Sequence, residues 1–130
     1  MTVIMCAAEN GAVMFNKRRC SRDRAVVEDI LTAFPGQTLH VTSYSAALFE
    51  GAALKIIASP ADLGDSDVVF LEDISFSLLA EKCSRLIVYR WDRVYPGDIK
   101  LTVDDSFALV SAEKFAGFSH EKITKEVYEK

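Results

Sequence analysis

Four clusters in the chain hold residue types that can do chemistry. The densest is Lys17-Arg18-Arg19-Cys20-Ser21-Arg22-Asp23-Arg24, a net basic run in a chain of net charge −4. It leads into an amphipathic stretch, so its backbone N–H groups would lie at a helix N-terminus, where anions are favoured. Guanidinium forks there can grip a phosphate or carboxylate through paired hydrogen bonds. Arg18, Arg19, Ser21, Asp23 and Arg24 are therefore candidate ligand-binding residues. The structural alternative is a solvated loop whose arginines pair with Glu28 and Asp29 or with a partner subunit. Asp23 could orient a cationic or amide-bearing ligand, or could serve only the dipole of the helix it opens.

Thr42-Ser43-Tyr44-Ser45 places three side-chain hydroxyls next to a helix start. Ser43, Tyr44 and Ser45 could hold a phosphate; capping alone would also explain a serine there. Arg90, Trp91, Arg93 and Tyr95 combine cations with aromatic rings at the end of an apolar run. Such a surface could stack a base or planar ligand, or anchor a partner or a second copy of the chain. Its alternative is a tryptophan covering a core edge, with its arginines in solvent. Ser119-His120-Glu121-Lys122 is the one place with a histidine beside an acid and a base. Adjacency does not make a Ser/His/Asp triad, because neighbours in a strand point to opposite faces. A capping serine with an exposed histidine is the plainer expectation. His40, inside an apolar run, reads as a core or edge histidine.

These clusters need a scaffold. Val3 to Ala8, Thr38 to Thr42, Leu54 to Ala58, Val68 to Leu71 and Arg85 to Trp91 read as strands, mostly apolar and bounded by turn residues. Ile99 to Val103 and Phe107 to Val110 read as later strands, and Ala12 to Phe15 as a short return segment. Helices are expected from Arg22, with Ser21 as its N-cap and Val26, Val27, Ile30, Leu31 and Phe34 on one face; from Ser43 to Gly51; and over Ile74 to Lys82. Pro35-Gly36 stops the first. Glu121 to Lys130 suits either a helix or a strand. Apolar strands separated by helices imply a three-layer αβα domain, mostly parallel, with antiparallel strands added near the C-terminus.

Bulk properties narrow the classes. A chain of 130 residues is expected to form one domain. Half of it is hydrophobic, with six glycines and three prolines, which excludes disorder and low complexity. The pI near 5.1 argues against a globally basic nucleic-acid binder, leaving RNA a minor variant of the anionic-ligand reading. Cys6, Cys20 and Cys83 form no CxxC, and two histidines make no cluster, so neither a metal site nor a disulfide framework is expected. Free thiols fit a cytoplasmic protein. No run approaches the roughly 20 apolar residues of a membrane span, so no membrane partner is expected.

The order of elements resembles dihydrofolate reductase in shortened form. Val3 to Ala8 with Glu9-Asn10-Gly11 is similar to that family's first strand and following loop. Ser21-Arg22-Asp23 is similar to the segment that bears its pterin-binding carboxylate, which the resemblance places on Asp23. His40 to Ser45 is placed like the junction that holds cofactor phosphate. Arg85 to Asp92 with Pro96-Gly97-Asp98 is similar to the long strand and loop near its end. The resemblance also has departures. Glu72-Asp73 stands where the family has a glycine pair whose amides receive the cofactor pyrophosphate. At about 4–5 Å and an effective dielectric near 20, each carboxylate would oppose a phosphate by roughly 3–4 kcal/mol. Asn16-Lys17-Arg18-Arg19 replaces the family's Pro-Trp motif. NKRRCSRDR and SHEKITKEVY are also similar to short bacterial proteins that sometimes carry the label ribonuclease Z. That enzyme needs an HxHxDH metal motif, which two histidines cannot supply.

The expectation is a dihydrofolate-reductase-like fold that requires no cofactor and binds an anionic small molecule or nucleotide through Arg18–Arg24 and Ser43–Ser45. A divergent NADPH-dependent reductase using Asp23, and an interaction protein using Arg90–Tyr95, are the alternatives.

Overall fold

A computed structural model describes residues 1–130. In chain order the regular elements are β1 (Thr2–Ala8), β2 (Ala12–Phe15), β3 (Arg18–Arg19), α1 (Arg24–Ala33), β4 (Leu39–Val41), β5 (Leu54–Ile56), β6 (Val68–Phe70), β7 (Arg85–Trp91), β8 (Ile99–Lys100), β9 (Ala108–Phe115) and β10 (Ile123–Glu129). Seven strands make one sheet in the order β5-β4-β6-β1-β7-β10-β9. Its first five strands run parallel, and β10 and β9 add antiparallel pairs at one side. This is the mostly parallel α/β arrangement expected.

The apolar runs explain the order. Val3, Ile4, Met5, Ala7 and Ala8 of β1 are fully buried, which requires cover on both faces and neighbours on both sides. β10 settles the ambiguous end of the chain as a strand. Its Ile123 and Val127 are buried against one face, and Val127 pairs with Ile87 of β7.

The two faces are covered differently. On one, Val26 and Ile30 of α1 and Phe49 of a 3₁₀ turn (Ala46–Phe49) pack on Ile4, Phe70 and Trp91. On the other, no α-helix is present. Val13 and Met14 of a small sheet, ordered β3-β2-β8, join Phe76, Leu79, Leu101 and Phe107 over Val3, Met5 and Val88. The helix expected over Ile74–Lys82 is a single 3₁₀ turn, Phe76–Leu78. Phe76 and Leu79 are buried while Leu78 is exposed, and an i, i+3 apolar pair is met by one 3₁₀ turn as well as by an α-helix. The Ser43–Gly51 helix is likewise reduced to the turn at Ala46–Phe49. The strand expected at Phe107–Val110 begins at Ala108 and runs on to Phe115; exposed along nearly its whole length, it is held by backbone pairing with β10. No helix is long and apolar enough to cross a membrane.

Candidate functional site

Candidate side chains gather toward the carboxyl ends of β1, β4 and β6, the usual ligand-binding end of such a sheet. Glu72 follows β6 and is buried, its side chain 4% exposed. Arg19 reaches it because Asn16 and Lys17, both at positive φ, turn β2 back into β3. Arg19 Nε donates to Glu72 Oε2 at 2.9 Å and Nη2 to Oε1 at 3.1 Å. The Ser45 hydroxyl, fully buried, donates to the same Oε1 at 2.7 Å. The Tyr44 ring lies 4.6 Å below the guanidinium, and its hydroxyl accepts the Arg19 backbone N–H. Thr42 donates to Asp73 at 2.6 Å. Beside this network, burial pushes the Cys6 thiol well above its ordinary value; Glu72 adds to the rise and Arg19 opposes it.

Arg19, Tyr44 and Ser45 are thus brought together around an internal anion, Glu72. Ser45 neither caps its turn nor stands free for a phosphate. The charge of Glu72 is likewise compensated rather than bare. Ser43 is exposed nearby, and Arg18 is exposed without an ion-pair partner.

A second cluster surrounds the start of α1. Asp23, not Ser21, is the N-cap, accepting from Ala25 N–H at 2.9 Å. The backbone N–H groups of Phe118, Ser119 and His120 also donate to its carboxylate, at 3.0, 2.9 and 3.2 Å. Oδ2 further receives the Ser119 hydroxyl and, at 2.9 Å, His120 Nδ1. Burial acts to raise the Asp23 pKa. The His120 ring and the Phe118, Ala25 and Ser119 amides outweigh it and hold the carboxyl well below the usual range. Ser21 instead meets His120 Nε2, at 2.8 Å.

Several expectations are corrected at this cluster. Asp23 is saturated with protein donors, so it is not free to orient a cationic ligand. Trp91 is 1% exposed and stacks on the His120 ring at 4.5 Å, so its faces are closed to a base or a partner. His120 is buried, not exposed. Arg90 is committed to Glu126 and the Ala8 carbonyl. Tyr95 packs half-buried on the core, and Arg93 alone of that group is exposed in solvent. Asp29 pairs with Lys125 and Tyr89 rather than with the arginines. His40 is a core-edge histidine held by Val68 O and facing Asp67.

A cleft runs between α1 and the Ala46–Phe49 turn. Its inner end touches Cys6, Ser21, Glu72 and Trp91 and encloses only about 10 Å³, the space of one water. Its mouth is a depression of about 420 Å³. Arg22, Asp23, Val27 and Leu48 border both parts. Arg22 and Arg24 are exposed at the mouth, and neither meets a carboxylate. The Arg24 guanidinium lies 4.5 Å over the ring of Phe118, which is 63% exposed. Phe118 carries no sequence signal of this role; a lone phenylalanine 94 residues from Arg24 is joined to it only by the fold. No group of three or more His, Cys, Asp or Glu is placed to hold a metal ion.

No protein-family model matches the chain, and no curated protein matches it. Among solved structures it is similar to a dihydrofolate reductase from Enterococcus faecalis, complexed with NADP(H) and RAB-propyl. The TM-score is 0.69 over 98% of this chain and 94% of that one, at 11% identity. The fold is therefore dihydrofolate-reductase-like, and the likeness extends to fold alone.

Proposed function

We propose that the chain is a binding module for an anionic small molecule bearing a planar ring, a nucleotide or a similar phosphorylated or carboxylated metabolite, and that it does not act as a reductase. The observation that carries this is the mouth between α1 and the Ala46–Phe49 turn. It offers two guanidiniums free of carboxylates beside an exposed aromatic face, in a volume within the range of small-ligand sites. Arg22 and Arg24 meet the charged group; Phe118 and Arg24 hold the ring.

Two features weigh against hydride transfer from a nicotinamide dinucleotide. The Arg19–Glu72–Ser45 network fills the carboxyl ends of β4 and β6, where a diphosphate would need free backbone donors. The inner cleft beside Asp23 admits one water, not a fused ring. The likeness to a reductase complexed with NADP(H) favours the alternative, a divergent reductase, which would require Arg19 to leave Glu72.

The test is a thermal-shift panel of mononucleotides, phosphorylated and carboxylated aromatics, NADPH and short RNA. One of the anionic small molecules should raise Tm, and Arg22→Ala or Arg24→Ala should remove the gain. A gain with NADPH that survives both substitutions would overturn the reading in favour of the reductase. Retention on RNA that weakens with salt would move the ligand class to nucleic acid.

A further inference from the structure

The cleft wall holds a second, independent arrangement. Ser21 Oγ lies 2.8 Å from His120 Nε2, and His120 Nδ1 lies 2.9 Å from Asp23 Oδ2. These are the two contacts, on opposite ring nitrogens, that define a serine nucleophile, its base and the group that orients the base. We infer that Ser21, His120 and Asp23 form a hydrolytic triad acting on short-chain acyl esters.

The tautomer follows from the surroundings. Asp23 is buried; its Oδ1 is taken by the Ala25 and Phe118 amides, while Oδ2 meets His120 Nδ1 at 2.9 Å together with the Ser119 hydroxyl and the Ser119 and His120 amides. Nδ1–H donates to this carboxylate, which leaves Nε2 as the acceptor that faces the Ser21 hydroxyl. Trp91, stacked on the imidazole at 24°, fixes the ring plane. Asp23 touches no substrate; it is a positioning residue. The backbone N–H of Arg22, the residue after the nucleophile, has no acceptor within the chain, as an oxyanion donor requires.

The reaction balances. Ser21 Oγ attacks the acyl carbon as its proton passes to Nε2. The carbonyl electron pair moves to oxygen and returns as the bond to the leaving alkoxide breaks, and that alkoxide takes the proton from Nε2. Water then gives a proton to Nε2 and attacks the acyl-serine. Ser21 Oγ leaves and recovers the proton. One ester and one water become one acid and one alcohol, with no redox change. Ser21 borders the inner end of the cleft, and Arg22 and Asp23 border both parts, so the ester approaches from the 420 Å³ mouth and the closed inner end leaves no room for a long acyl chain.

The experiment treats the full chain with a small fluorophosphonate and locates the adduct by peptide mass. Hydrolysis of p-nitrophenyl acetate and of the octanoate is followed in parallel. Ser21 should carry the adduct, and the acetate should turn over faster than the octanoate. Ser21→Ala, which removes one oxygen from a half-buried position, should keep a cooperative melt and lose both adduct and turnover. Ser111→Ala, on the exposed strand β9, should keep both. His120→Gln should slow labelling by about 10²–10⁴-fold, the contribution of a positioned base. If that variant melts early, Ser21→Ala decides the matter. An unlabelled native chain, an adduct on Ser119 instead, or turnover that persists in Ser21→Ala would overturn the triad. The adduct is read without any anionic ligand, and the Tm gain of the preceding section without any ester, so each reading can fail alone.

Discussion

The guanidinium of Arg19 lies along both carboxylate oxygens of Glu72, at 2.9 and 3.1 Å, although the two residues are 53 positions apart. A buried pair of this kind is costly to break from one side, because the remaining charge loses its partner without regaining water. The Arg19 side chain is 20% exposed, which admits some solvent. Arg19→Ala should therefore lose about 3 kcal/mol, at the low end for such pairs, in urea unfolding. Arg19→Met with Glu72→Leu should recover most of that loss. Equal losses in the single and double variants would show instead that the stranded Glu72 charge is not the cause of the loss.

Asp23 makes stability depend on acid. Its folded pKa is depressed below the roughly 3.9 of an unfolded chain, so between those values the unfolded state binds more protons. Its contribution is complete above about pH 5 and is lost as the pH falls below 4 toward the folded value. Unfolding free energy measured from pH 7 to pH 2 should fall along an acid limb that is shallower in Asp23→Asn. Identical limbs would contradict the assignment.

Trp91 is a core residue whose ring supports His120. Trp91→Ala should lose about 3–5 kcal/mol, the usual cost of emptying a large aromatic site. Far-UV circular dichroism in denaturant would read it. A neutral effect would mean that the tryptophan is peripheral.

Gly117 is required by close approach. A Cβ built there would lie 2.4 Å from Asp23 Oδ2 and 2.8 Å from Ile123 Cδ1. Gly117→Ala should displace the 118–120 segment from Asp23, at a cost of about 1–3 kcal/mol. A thermal melt would show it, and the Asp23 acid limb should weaken in step.

Much of the scaffold was legible because burial leaves a local mark. β1, β4, β6 and β7 are apolar runs closed by turns, and α1 carries Val26 and Ile30 at helical spacing. The site was legible as composition but not as wiring. Ser21 reads as a cap from its position, yet its hydroxyl serves a ring 99 positions away, and the cap falls to Asp23. His120 reads as an exposed neighbour of Ser119; its partners come from the far end of the chain. Arg19 and Ser45 read as binders of an anionic ligand, and in the fold their partner is the internal carboxylate of Glu72. Pairings of this length leave no periodicity to find.

The bonds that tie Ser21 and Asp23 to residues 118–120 close a circuit of nearly a hundred residues. Loop-closure entropy opposes such links until other contacts have drawn the ends together. Trp91 at the tip of β7 and Ile123 at the head of β10 are the surfaces that do so. The corner holding His120 should therefore set last in a refolding chain, after the central strands have zipped. In hydrogen exchange it should also be the first corner to open.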